Sequence, residues 1–138
     1  MIPSTADIDA ARRLIDALDM YRLLFDAMVE AGMDVARYEA VSACLADIRS
    51  AKEVIFAQVA SESVDFVLAH TSLMTGLWNS RLAAQRGDAA TLLDAHSSSL
   101  RLEHDEAIDR LRLACQRVLK GRRMPDAPRP SPSPGTAA

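Results

Sequence analysis

All six prolines sit at the ends of the chain: Pro3 near the start and five from Pro125 onward. From Ser4 to Met124 every residue therefore keeps its backbone N–H. Glycine is nearly as scarce in that interval, where it occurs only at Gly32, Gly76, Gly87 and Gly121. A chain with so few breakers can run in long helices, and its apolar residues are spaced for them. Ile8, Ala11, Ile15, Leu18, Phe25 and Val29 recur at steps of three and four, interrupted at Arg22. A second row, Leu14, Ala17, Tyr21, Leu24, Met28 and Ala31, runs beside it. Two adjacent rows make the wide apolar face of a bundle helix rather than the narrow seam of a coiled coil.

The remaining punctuation sets the other helices. Ser4 and Thr5 can cap a first helix, with Asp7 and Asp9 in its opening turns, and Gly32 can end it. Asp34 can cap a second, whose inward row Tyr38, Val41, Leu45, Ile48, Ile55 and Val59 is interrupted by Lys52. No glycine or proline occurs from Met33 to Thr75, so the next break is expected at Ser61-Glu62-Ser63, where hydroxyls compete for backbone hydrogen bonds. The third helix is the most apolar segment, with Phe66, Val67, Leu68, Leu73, Met74, Leu77, Trp78 and Leu82 covering most of its circumference. Gly87 and Asp88 form a stop and a cap, and the fourth helix can run to Lys120. The expectation is an all-α, up-down-up-down four-helix bundle over residues 1–121, with helices at about 6–31, 35–60, 64–86 and 89–120. Residues 122–138, with five prolines, are expected to form a disordered tail.

Several functions lack a basis in this sequence. The longest apolar runs are only a few residues, far short of the roughly 20 that cross a bilayer, and no secretory signal is visible. A cytoplasmic protein is the default. Cys44 and Cys115 stand far apart in sequence with no CxxC, so each is expected to be a small buried hydrophobe. No metal site and no cofactor are expected. The three histidines, His70, His96 and His104, are placed at different heights of the bundle and are not expected to converge. No phosphate-binding loop or nucleophile elbow occurs.

His70 carries one sharper alternative. Leu68-Ala69-His70-Thr71, with Gly76 following, resembles the Ala-His-x-Leu-Lys-Gly segment of histidine phosphotransfer domains, themselves four-helix bundles. That resemblance implies His70 as phosphoacceptor. The lysine of the pattern is missing here, and the glycine falls two places late. Ile15-Asp16-Ala17-Leu18-Asp19 looks like the opening helix of all-helical chorismate mutases, but Val29 stands where they place an arginine. The helical hairpin from Met20 to Ile48 is similar in layout to flagellar and type III export chaperones.

Charge supplies the global signal. The chain carries a formal net charge of −3, which divides into an acidic body and a basic end containing Arg110, Arg112, Arg117, Lys120, Arg122 and Arg123. Cations favour a helix C-terminus; they can equally hold an acidic partner surface. An acidic body and the lack of interleaved aromatics disfavour nucleic acid. The expected function is a non-enzymatic protein-interaction module, an adaptor, regulator or chaperone-like subunit, working as a homodimer. Phe66, Leu73, Leu77 and Trp78 are its expected apolar contacts, with Arg117, Lys120, Arg122 and Arg123 as its charged ones. The alternatives are phosphotransfer through His70, or a nucleic-acid or lipid-surface accessory role for the basic C-terminus.

Overall fold

The structure, a computed structural model, describes residues 3–87 and 99–123. Among them the chain forms α1 (Thr5–Ala31), α2 (Val35–Val54), α3 (Phe56–Gln85) and α4 (Ser99–Arg123), with no strand. The expected first turns of the fourth helix, His96, and the proline-rich segment from Met124 lie outside the described residues. The α4 backbone runs through Gly121 to Arg123, two residues beyond the expected end of the folded body.

Helix ends follow the local chemistry. The Ser4 hydroxyl accepts the Asp7 N–H at 3.1 Å and the Asp7 carboxylate accepts the Ser4 N–H at 3.1 Å, a reciprocal cap that satisfies two otherwise orphaned donors. Gly32, at φ 100°, turns the chain while its N–H bonds the Met28 carbonyl at 2.9 Å. Asp34 then caps α2 by accepting the Arg37 N–H at 2.8 Å. Each of these was legible as a residue type in the right place.

The break between α2 and α3 was not. It falls at Ile55 (φ −116°, ψ 23°), with a second non-helical residue at Val59 (φ −129°, ψ 20°), and the expected break at Ser61-Glu62-Ser63 lies inside α3. No side chain caps α3. Ile55 and Val59 are both fully buried and β-branched, a class that loses side-chain freedom in a helix. Burying both at the foot of the bundle outweighs hydroxyl competition within the next two turns. Ser63 is itself fully buried, and its Oγ has no hydrogen-bond partner among the described residues.

Contacts fix the helix directions. Gln58 reaches Asp7, His70 meets Tyr21, and Arg81 donates to the Met33 carbonyl, so α3 climbs beside α1 in the same sense. Arg101 pairs with Asp26, Asp109 with Arg22 and Arg112 with Asp19, while Gly121 lies beside Pro3; α4 therefore runs against α1. The short Gly32–Asp34 connection turns α2 back along α1. Helix α1 packs along both α2 and α4, and α3 packs along α4. Only the seam between α2 and α3 is sparse.

The core is aliphatic with a small aromatic centre. Leu14, Leu18, Tyr21 and Phe25 of α1 pack with Val41 and Ile48 of α2, Phe66 and Leu73 of α3, and Ile108 and Leu111 of α4. Burying each leucine or phenylalanine contributes roughly 1.5–3 kcal/mol relative to exposure. Both cysteines are free and buried. Burial raises the Cys44 thiol above its ordinary range and pushes the Cys115 thiol up to about 12. No helix among the described residues is long and apolar enough to cross a membrane.

Candidate functional site

A polar chain threads the middle of this core. At its exposed end the Asp105 carboxylate accepts from the Arg101 Nε–H at 3.1 Å and from the His104 Nδ1–H at 3.2 Å. A carboxylate can only accept, so it fixes the His104 proton on Nδ1 and leaves Nε2 as the acceptor. The Tyr21 hydroxyl donates to that nitrogen at 2.5 Å. Its oxygen in turn accepts from the His70 Nδ1–H at 2.7 Å. The order Asp105, His104, Tyr21, His70 satisfies both His104 nitrogens, the Tyr21 hydroxyl and the His70 Nδ1 with each imidazole neutral. It also leaves the His70 Nε2 unprotonated and without a partner among the described residues.

Aromatic packing encloses the chain. The Phe25 ring stacks at 4.5 Å from His104, and Phe66 meets Tyr21 edge-on at 5.2 Å. Arg101 lies over the Phe25 face at 5.6 Å and is paired with Asp26. Burial dominates the proton equilibria here. It lowers the His104 pKa against the opposing pull of Asp105, pushes His70 down to about 4 with His104 adding to the effect, and raises the Tyr21 hydroxyl.

His104 is 1% exposed, whereas His70 is only partly buried and lines an open cavity. That cavity, about 510 Å³, occupies the sparse seam between α2 and α3. Leu45, Ile48, Arg49, Lys52 and Glu53 wall it from α2; Phe56, Phe66, Val67, His70 and Thr71 wall it from α3. A Tyr38–Trp78 contact at 5.6 Å bridges α2 and α3 further along, with Arg81 over the Trp78 ring.

The histidine expectation is corrected by this arrangement. Two of the three histidines meet on one hydroxyl. Their misplacement follows from the misplaced break: with α3 beginning at Phe56, His70 lies 14 residues into it. At 1.5 Å per residue that carries it about 21 Å up the bundle, to the height of Tyr21. Tyr21 entered the sequence reading only as a core position, and Lys52 only as an interruption of an apolar row. Interruption was the available signal. Arg22, the corresponding break in the α1 row, likewise proves functional in packing, donating to Asp109 at 2.9 Å across to α4.

The expected partner contacts divide. Phe66, Leu73 and Leu77 turn inward and belong to the chain's own core, while Trp78 stands at the surface. The all-round apolar character of the third helix thus resolves into a core face and an outer face. At the basic end, Arg117 pairs with Glu62 of α3 at 3.1 Å, and Lys120 is exposed. Arg122 and Arg123 continue the α4 backbone. No known protein family, curated protein or solved structure gives a significant match to this chain.

Proposed function

We propose that this protein is a non-enzymatic interaction module, an adaptor or regulatory subunit, that associates with a second copy of itself through the outer face of α3. The supporting observation is an exposed, uncharged stripe. Val64, Val67, Leu68, Trp78 and Leu82 are each between a third and two thirds exposed, and Thr71 and Thr75 fill the spaces between them. Positions 64, 67, 71, 75, 78 and 82 recur at steps of three and four, the spacing that brings side chains to one side of a helix. Contiguous exposed apolar surface of this kind marks association surfaces.

The choice of a second copy rests on charge. A surface that pairs with itself must not set like charges against each other, and none of the stripe's own positions is charged over five turns, although Arg81 lies over Trp78 at its upper end. The outer side of α1, by contrast, exposes Asp9, Arg12, Arg13, Asp16 and Asp19. Sedimentation equilibrium tests the proposal directly. The expected result is a reversible dimer at micromolar concentration, dissociated by Leu68→Glu with Leu82→Glu while the helical circular dichroism is retained. A strict monomer at concentrations on the order of 100 µM, far above ordinary micromolar affinities, overturns it.

A further inference from the structure

We propose that the cavity between α2 and α3 is a binding site for a small phenolic carboxylic acid, held by its carboxylate at Arg49 and Lys52 and by its hydroxyl at His70. The cavity opens beside the self-association face of α3, sharing Val67 and Thr71 with it, and the two proposals are tested by separate readouts.

Three features of the cavity select this ligand. Its size, about 510 Å³, falls within the range of small-molecule pockets. Its apolar lining, Leu45, Ile48, Phe56, Phe66 and Val67, suits a flat hydrophobic body. Its polar groups differ in kind, cations at Arg49 and Lys52, a carboxylate at Glu53, an imidazole at His70 and a hydroxyl at Thr71, which fixes an orientation.

The cationic end comes from α2. Six arginines of the bundle are held in ion pairs: Arg22 with Asp109, Arg37 with Asp34, Arg101 with Asp26 and Asp105, Arg110 with Glu106, Arg112 with Asp19 and Arg117 with Glu62. Arg49 and Lys52 have no ion-pair partner among the described residues, and both line the cavity. Glu53 on the same wall is the nearby anion, and its influence on Lys52 is smaller than that of burial and Arg49, which together lower the lysine pKa. Two unpaired cations over an apolar cleft favour an anion that is itself attached to an apolar body.

The other end is an acceptor. With Nδ1 committed to Tyr21, the His70 ring offers Nε2 as a lone pair. Each link back to Asp105 donates in the same direction, and such a chain polarises its members and strengthens the terminal acceptor, as carboxylates do for ligating histidines. A lone pair repels a carboxylate and accepts a hydroxyl proton. The ligand's anion is therefore placed at Arg49 and Lys52 and its donor at His70. Counted at 1.5 Å per residue from the Ile55 break, His70 stands about 22 Å along α3 and Arg49 about 9 Å along α2, an offset of about 13 Å that a phenyl ring with a short acid arm bridges together with the long Arg49 and Lys52 side chains.

Titration calorimetry of the full chain with three probes tests this. The expected order has 3-(4-hydroxyphenyl)propionate binding about tenfold tighter than 3-phenylpropionate, which lacks the hydroxyl, and about tenfold tighter than 4-ethylphenol, which lacks the carboxylate. His70→Phe should erase the first preference and leave 3-phenylpropionate unaffected. Arg49→Gln with Lys52→Gln should erase the second. In the unmutated chain the Nε2 nitrogen resonance of His70 should shift with the hydroxylated acid and not with 3-phenylpropionate, a readout independent of whether the variants fold. No binding up to millimolar concentration, or equal affinity for the three probes, overturns the site. Dimerisation is read separately: a monomer that still discriminates the probes leaves the site standing, and a dimer that does not discriminate removes it alone.

Discussion

Two seams of this bundle use the same kinds of residue to opposite ends. Between α1 and α4, arginines and aspartates meet in order: Asp19 with Arg112, Arg22 with Asp109, Asp26 with Arg101. Beneath them Leu18, Tyr21 and Phe25 share one buried core with Ile108 and Leu111. Between α2 and α3 the cations Arg49 and Lys52 have no ion pair among the described residues, the helices stand apart, and apolar side chains such as Phe56 and Val67 are left half-exposed. The first seam is closed within the chain, with each of its three arginines paired to an aspartate of the facing helix. The second is left open, and its cations and apolar surface are what remains available to something else.

The largest test of that contrast is a pair of identical truncations. Leu111→Ala, at a fully buried position facing α1, is expected to cost about 2–5 kcal/mol in urea unfolding. Leu68→Ala, at a position 61% exposed on the outer face of α3, should change the stability of the monomer by less than about 0.5 kcal/mol. Comparable losses at the two sites would mean that the outer face of α3 is not free.

Acid comes next. Both imidazoles of the Tyr21 chain have pKa values lowered in the folded state from the ordinary 6.5, His70 to about 4. Below 6.5 the unfolded chain takes up protons that the folded chain refuses. Stability is therefore complete above that pH and declines as the pH falls towards 4, by up to about 1.4 kcal/mol per pH unit for each histidine. Denaturation at pH 7, 6 and 5 reads the slope, and His70→Phe should remove one histidine's share of it. A flat profile over that interval would show that the imidazoles are not held neutral.

Removing the hydroxyl that links the two seams has a smaller effect. Tyr21→Phe keeps the ring but leaves the buried His104 Nε2 without a donor, and a loss of about 1–3 kcal/mol is expected by urea unfolding at pH 7. The same variant should also weaken discrimination between hydroxylated and plain acids in the α2–α3 cavity, because His70 loses the acceptor that orders its tautomer. Smallest of all is Asp19→Asn, which unpairs Arg112 at the surface of the closed seam. It should cost less than about 1 kcal/mol and the cost should shrink further in high salt, as measured by thermal unfolding at two ionic strengths.

The rows of apolar residues and the caps at Ser4, Gly32 and Asp34 could be read directly, because each depends on neighbours within one turn or two. Their signals are local. Ile55 and Val59 could not be read as a turn, since nothing in their own types breaks a helix; they become one only because both are driven into the foot of a bundle that α1 and α4 help to build. That displacement carried His70 from the expected base of the helix to its middle. The Tyr21–His70–His104 chain was invisible for the same reason, its members lying far apart in sequence and joined by the heights at which three helices cross. Lys52 and Arg22 were visible as exceptions in apolar rows, but the rows do not say which exception will find an aspartate.

By itself the sequence determined that this chain is helical, with an apolar half distributed to bury one face of each helix and ends marked by capping residues, because hydrogen bonding and periodicity act over a few residues at a time. It also set the uncharged character of the outer side of α3. Tertiary structure alone decided where α2 gives way to α3, which cations are paired and which are left, and that two histidines share one tyrosine hydroxyl. Those outcomes depend on which side chains the packed helices bring within a few ångströms of each other, and that distance is not encoded in the spacing of any one segment.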